Sequence, residues 1–348
     1  MHWARQVHNL QIDITSHCNA ACGACVRNQD GGITEPELSL DHFSLDLWKR
    51  LASTDTHGWY ITKLTLNGNW GDPMMHPDLI EMLEIWNYHH PESSLYIATN
   101  GSMRNKQFWL DLAKVSRQFP NSKVDFAVDG LEDTHKLYRR KTIFSKLIEN
   151  IKHFTSAQGN ACMMMTVFKH NQHQIDDVKE LAKETKCRTF VARRSHSNNM
   201  HIKTDTEDYV MHAGEVDQYK QQTRFDQGWN NSDMRDASVY GQINEQFSKL
   251  YEFAEDSKCP WYKDQEVQID PWGVVWPCCH LSLLGIPLHK HILTISADNS
   301  IIEARKSNNL HKYSLTEVLY NEWFTSTVSN AVDNASWKIC RDTCGVCK

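Results

Sequence analysis

Little in this sequence points to a membrane or to export. No apolar run approaches the ~18 residues that a membrane span needs. The first fifteen residues, MHWARQVHNLQIDIT, contain no apolar signal core, so the expectation is a cytoplasmic protein. An excess of positive charge is missing too. The 37 Lys and Arg stand against 43 Asp and Glu, a net charge of −6, which argues against a general nucleic-acid surface. Internal repeats and low-complexity tracts are absent. With 40% hydrophobic and 23% charged residues, wholesale disorder is excluded as well. A length of 348 residues suggests two domains, or one large domain with an appendage.

Cysteine is what the chain has in quantity: eleven, an odd number, and clustered. In a reducing compartment disulfides are a poor explanation, and clustered cysteines read as metal or redox sites. Three lie at Cys18, Cys22 and Cys25. Six lie at Cys259, Cys278, Cys279, Cys340, Cys344 and Cys347. Cys162 and Cys187 stand apart and read as small buried hydrophobes.

The first 195 residues alternate short apolar runs with amphipathic stretches. Strands are expected at Gln11–Thr15, Thr62–Asn67, Leu95–Thr99, Val124–Asp129, Met163–Phe168 and Thr189–Arg193. Between them, Leu79, Met82, Leu83 and Trp86 recur at helical spacing, as do Phe108, Leu112, Val115 and Phe119, and later Leu147, Ile151 and Phe154. Six successive β/α units imply a parallel sheet, doubly wound or curled toward a barrel, with ligands at the C-terminal ends of the strands. Residues 196–256 lose the alternation and read as a polar connector with some helix near Asn244–Glu255. From residue 257 a third region carries a hairpin around Asp270–Gly273 and a helix from Leu315 to about Ser326.

The strongest local signal is the loop from His17 to Cys25, directly after the first strand, with cysteines spaced by three and then two residues. Three thiolates there can hold three irons of a [4Fe–4S] cube and leave the fourth without a protein ligand. A structural zinc site is the alternative use of the same donors. This loop, at the head of a six-fold β/α chain, resembles the radical S-adenosylmethionine (SAM) superfamily. The resemblance implies an α/β fold, a partial (β/α)6 TIM barrel. It also implies a [4Fe–4S] cluster on Cys18, Cys22 and Cys25, and SAM chelating the open iron. SAM would then be cleaved reductively to methionine and a 5′-deoxyadenosyl radical that abstracts a substrate hydrogen.

Further motifs carry the resemblance. Gly71 and Asp72 match the second Gly and the Glu of the family's Gly-Gly-Glu-Pro, which faces the SAM ammonium, while Trp70 replaces the first Gly. Asn100, in Ile97-Ala-Thr-Asn-Gly101, fits a Thr-Asn-Gly pattern. Asp129, Gly130, His135, Tyr138 and Arg139 fit the following strand and helix, with Arg139 expected on the SAM carboxylate, a role suited to its planar fork. The Ala24 backbone is expected near adenine. Ala127 stands where a serine is common, and Asn171 fits a polar contact only weakly.

The C-terminal cysteines resemble the Twitch or shortened SPASM extension, which holds auxiliary [4Fe–4S] clusters. The resemblance implies one auxiliary cluster, on Cys259, Cys278, Cys344 and Cys347, with Cys340 in reserve and Cys279 disfavoured. Trp261, Trp272 and Trp276 are expected around it, and most other tryptophans in the core. His89-His90 and His289-Lys-His291 are expected on the surface.

The organisation that follows is a radical SAM core over 1–195, a connector over 196–256 and a small α+β cluster domain over 257–348. The expected partners are a small-molecule or peptide substrate and a reductant such as flavodoxin or ferredoxin. A non-catalytic, zinc-stabilised binding protein is the reading from another class. The substrate itself is not legible in the sequence.

Overall fold

The computed structural model describes residues 7–23, 25–28, 33–195, 199–203, 208–216, 220–225, 259–284, 299–334, 336–337 and 340. Six strands, β1 (Asn9–Ile12), β2 (Lys63–Leu66), β3 (Ser94–Thr99), β4 (Lys123–Ala127), β5 (Ala161–Val167) and β6 (Thr189–Arg194), pair in sequence order and in parallel. The helices between them are α1 (Leu45–Arg50), α2 (Leu79–His89), α3 (Lys106–Ser116), α4 (Glu132–Tyr138), α5 (Phe144–Ser156) and α6 (Ile175–Glu184). The sheet is open, as a partial barrel requires. The six expected strands are all present, with their ends moved by no more than three residues.

The alternation within each strand decides its two faces. Leu10 and Ile12, Leu64 and Leu66, Leu95 and Ile97, and Val124 and Phe126 join the core beneath the helices. Each such side chain, moved from water to the interior, stabilises the fold by about 1.5–3 kcal/mol. The helices answer with matching stripes: Leu79, Met82, Leu83 and Trp86 on α2, and Leu147, Ile151 and Phe154 on α5, are buried at three- and four-residue spacing. α3 starts where Asn105 caps it, the side chain accepting from Phe108 N at 3.0 Å. The intervening strand residues face the barrel lumen, and many of them are polar.

Two further pairings lie at the sheet's edges. β9 (Lys220–Arg224) runs antiparallel to β6, while β7 (Asn199–Lys203) and β8 (Asp208–His212) form a separate two-stranded sheet. The sequence reading placed no strand in these polar segments. The helix expected near Asn244–Glu255 lies outside the described residues. At the opposite edge β10 (Glu266–Ile269) pairs in parallel with β1, and β11 (Val275–Trp276) turns back on it as the expected hairpin, with Gly273 at φ +77°. The C-terminal region therefore shares backbone hydrogen bonds with the barrel sheet. Cys162 and Cys187 are buried, as expected of packing residues.

One surface expectation is overturned. His90 is only 8% exposed. Its ring lies on Trp86, 4.7 Å between centroids, and its Nε2 is 2.8 Å from Thr56 Oγ1 and 3.1 Å from Ala52 O. It ends α2 just where the wide π-helical turn Leu51–Asp55 offers those partners. His89 is exposed, and His289 and His291 lie outside the described residues.

Candidate functional site

The loop after β1 is tied down on three sides. Ser16 donates to Ser39 O at 2.9 Å and accepts from Asp41 N at 2.7 Å. Ala21 N reaches Arg140 O at 2.8 Å, behind α4. Arg27, only 3% exposed, donates through Nη2 to Ser16 O at 2.8 Å and through Nε to Trp70 O at 2.9 Å. A buried guanidinium thus laces the cysteine loop to the loop after β2.

Those two loops meet so closely that side chains are excluded between them. A Cβ on Gly71 would stand 2.3 Å from Thr15 O and 2.6 Å from His17 O, and one on Gly68 would stand 1.8 Å from Gly71 O. Glycine is demanded at 68 and 71, by backbone approach rather than by φ. Residue 70 is free of that constraint, which is why tryptophan fits there. Its ring is fully buried, turned toward Leu38 and Trp272.

Cys18, Cys22 and Cys25 line one cavity of about 280 Å³ together with Gly71, Asp72, Asn100 and Arg139. Nitrogen donors point at two of the sulfurs: Ala20 N at 3.4 Å and Asn100 Nδ2 at 3.9 Å from Cys18 Sγ, and Arg139 Nη1 at 3.6 Å from Cys22 Sγ. Burial raises all three thiols, Cys18 to about 12 and Cys25 to about 11, so without a metal they stay protonated at neutral pH. Metal binding there must release protons. Among the described residues no three His, Cys, Asp or Glu side chains gather closely enough to hold a single metal ion.

Asp72 caps the turn Pro73–Met75 through Met74 N at 3.0 Å and receives Thr99 Oγ1 at 2.8 Å, Asn100 N at 2.8 Å and Asn100 Nδ2 at 2.6 Å. Asn100 also donates to Asn19 Oδ1 at 2.9 Å and accepts from Ser102 Oγ at 2.7 Å. Asn100 is therefore a hub between the β2 loop, the β3 loop and the cysteine loop.

Asp129 is fully buried behind the cavity wall. It receives Arg139 Nε at 2.6 Å and Thr166 N at 2.6 Å. Burial holds His135 near pKa 4, hence neutral; its Nδ1 accepts from Asp129 N at 3.1 Å, which leaves the Nε2 proton for Thr142 Oγ1 at 3.2 Å. Asn171 lies elsewhere: its amide bonds Asp129 O, Thr166 O and Phe168 N, stapling the ends of β4 and β5. Ala24 lies outside the described residues.

In the C-terminal region Cys259 and Cys278 are buried, and burial pushes the Cys278 thiol up, helped by the nearby Cys279, Cys259 and Cys340. Four cysteines therefore share this neighbourhood, including the two that the sequence reading ranked last. Cys344 and Cys347 lie outside the described residues. Trp276 is anchored by Asp270 Oδ2 at 2.9 Å, and Trp272 packs edge-on against Trp70 at 5.9 Å.

Sequence reasoning missed Arg27 and the polar lumen residues Gln11, Thr65, Tyr96, Asp125 and Arg193. The signal was present for Gln11, Thr65, Tyr96 and Asp125, each flanked by apolar residues on the opposite phase of its strand; Arg193, followed by Arg194, gave no such signal.

Comparison with known proteins places these observations. A family model for the radical SAM superfamily matches residues 12–182. Curated relatives include a GTP 3′,8-cyclase of Aliarcobacter butzleri (strain RM4018), 24% identical over 192 residues, covering 55% of each chain. Another, from Campylobacter curvus (strain 525.92), is 25% identical over 42% of each chain. The chain thus spans about half the length of the curated relatives it matches. Among solved structures, anSMEcpe with bound AdoMet has a TM-score of 0.53 at 14% identity, covering 96% of this chain and 87% of that one. Streptococcus suis SuiB has 0.52 at 13%, covering 93% and 68%. At these identities the structures speak for the fold alone.

Proposed function

Because the chain belongs to the radical SAM superfamily through residues 12–182, and is thus an enzyme of a family that works with a [4Fe–4S] cluster and SAM, we propose that Cys18, Cys22 and Cys25 hold that cluster and that the cavity beside them receives SAM. The carrying observation is that these three thiols line one cavity with Gly71, Asp72, Asn100 and Arg139. The donor set fits the group: soft sulfur ligands on a short loop, with N–H donors at two sulfurs to stabilise thiolate charge. When bound, the pair supplies reductive cleavage of SAM and a 5′-deoxyadenosyl radical that removes hydrogen from a substrate.

The chain's own residues place and shield. Arg139, fixed by Asp129, offers its remaining N–H groups to a carboxylate. The oxygens of Asp72 already receive four donors, so we assign it to positioning Asn100 and the β3 loop. Gly71 lets backbone carbonyls stand close together where an ammonium would sit.

We further propose that Cys259 and Cys278 ligate an auxiliary [4Fe–4S] cluster completed from the C-terminal run, where Cys340 lies by Cys278 and Cys344 and Cys347 follow. On this reading residues 1–195 are the catalytic core, 196–256 a connector and 257–348 the auxiliary-cluster region. The substrate is a small molecule or a peptide. The names of the GTP 3′,8-cyclases favour the first. Solved neighbours with a bound precursor peptide or Cp18Cys peptide favour the second. A small reductant such as flavodoxin or ferredoxin delivers the electron in a cytoplasmic setting. Among the described residues no helix is long and apolar enough to cross a membrane. Family membership sets aside the non-catalytic zinc-protein alternative.

The test is anaerobic reconstitution. The protein should absorb broadly near 400 nm and carry roughly eight irons, four per cube. Changing Cys18, Cys22 and Cys25 together to Ala should remove about half the iron and abolish reductant-dependent 5′-deoxyadenosine, since the other cube keeps its own ligands. A variant that still cleaves SAM would overturn the assignment.

A further inference from the structure

A level row of polar side chains crosses the barrel lumen below the cysteine loop. Gln11 of β1 is the register partner of both Gln268 on β10 and Thr65 on β2, and Thr65 is the partner of Tyr96 on β3. Their strand neighbours face the helix-covered core, so alternation turns this row inward. Gln11 is 5% exposed, Thr65 4% and Gln268 0%. Yet Gln11 Nε2, Thr65 Oγ1 and Gln268 Oε1 have no hydrogen-bond partner among the described residues. One such atom is unfavourable in a protein interior, and three on adjacent strands call for a polar occupant.

Nearer the cysteines, Tyr96 donates to Asp125 Oδ2 at 2.7 Å. Both line the same cavity as the three thiols, and so does Arg193 from β6. Arg27 is committed to carbonyls, and Arg139 to Asp129 and, on the proposed reading, to the SAM carboxylate. The Arg193 side chain makes no hydrogen bond or ion pair with the described residues. An arginine held in a cleft with an unfilled fork is suited to an oxyanion.

We infer that the lumen is the substrate's seat, and that the substrate is a small polar molecule whose carboxylate or phosphate group is held by Arg193 while Gln11, Thr65 and Gln268 bond its polar body. This rests on the radical SAM reading of the cavity that Tyr96, Asp125 and Arg193 line with the three thiols; the row of Gln11, Thr65 and Gln268 lies behind that lining, joined to it by the register of Thr65 with Tyr96. A substrate entering with an apolar body would leave the row unbonded, and sites of that kind reject such analogues strongly.

The experiment is calorimetric titration of the reconstituted, SAM-loaded full chain with two probes, pyrophosphate for phosphate and succinate for carboxylate. The wild type should bind at least one with a Kd below about 5 mM. Arg193→Gln should weaken that probe about tenfold or more, and Arg193→Lys less, because the planar fork is lost but the charge kept. Thr65→Val and Gln11→Leu should weaken binding several-fold while melting at or above the wild-type temperature, since each removes an unbonded polar atom. A row that merely supported the fold would instead lower the melting temperature and leave binding alone. The inference is overturned if neither probe binds the wild type, if Arg193→Gln binds as tightly, or if Thr65→Val and Gln11→Leu bind normally. Reductant-dependent SAM cleavage by the wild type is read separately. Probe binding through Arg193 without any SAM cleavage would overturn the catalytic reading and leave the lumen site standing.

Discussion

Asp72 shows how a residue that matches a motif acquires a different physical role. Its shorter side chain ends among Met74 N, Thr99 Oγ1 and the Asn100 amides, so its lone pairs are taken. The sequence made Asp72 legible as a candidate site residue; only the contacts show that its carboxylate holds Asn100 in place. Asn100 itself, a turn asparagine by local pattern, proves to be bonded on every side. His90 is the opposite case, a residue read as surface and found in the core. Burial lowers its pKa from the ordinary 6.5 to about 4. The folded protein then binds fewer protons there than the unfolded chain. Its contribution is whole above pH 6.5 and falls away as pH drops toward 4, by up to about 3 kcal/mol at about 1.4 kcal/mol per unit. Urea unfolding of the wild type across that window, set against His90→Gln, should show this slope in the wild type and a shallower one in the variant.

At the scale of elements, the six central strands and their helices were legible because the pattern of residue types matches the faces: apolar residues at alternate positions in β1–β4, apolar runs in β5 and β6, and apolar stripes on α2, α3 and α5. Element ends were less so, since caps decide them. Asn105 starts α3 by bonding Phe108 N. Asn105→Ala should therefore cost about 1 kcal/mol in urea unfolding, the ordinary loss for an N-cap. β9, with the sequence Lys220-Gln-Gln-Thr-Arg224, has no apolar alternation to read. Its strand exists because the edge of β6 offers unpaired backbone groups, a tertiary cause that local propensity does not contain.

At the scale of the molecule, the C-terminal region joins the barrel at several places: Leu315 N donates to Asp55 Oδ2 at 3.3 Å, and two further contacts lie nearer the site. β10 extends the sheet beside β1, and Trp70 from the β2 loop packs on Trp272 while its indole N–H reaches Ser282 Oγ at 3.3 Å. Trp70→Ala should lower stability by about 3–5 kcal/mol, as for large-to-small changes of a buried tryptophan. It should also make 5′-deoxyadenosine formation more sensitive to urea, because the same loop presents Gly71 and Asp72. A loss under about 1 kcal/mol would show that the contact is not maintained in solution. The sequence alone carried the fold class, the three-cysteine loop and the family, because strand alternation, helical spacing and the gaps between cysteines are properties of neighbours in the chain. Tertiary structure decided what depends on residues far apart. It brought Gly71 onto the Thr15 and His17 carbonyls, drew Cys259 and Cys340 to Cys278, and turned the polar phase of separate strands into one lumen. Those outcomes follow from sheet register and loop approach, which no local window of the sequence encodes.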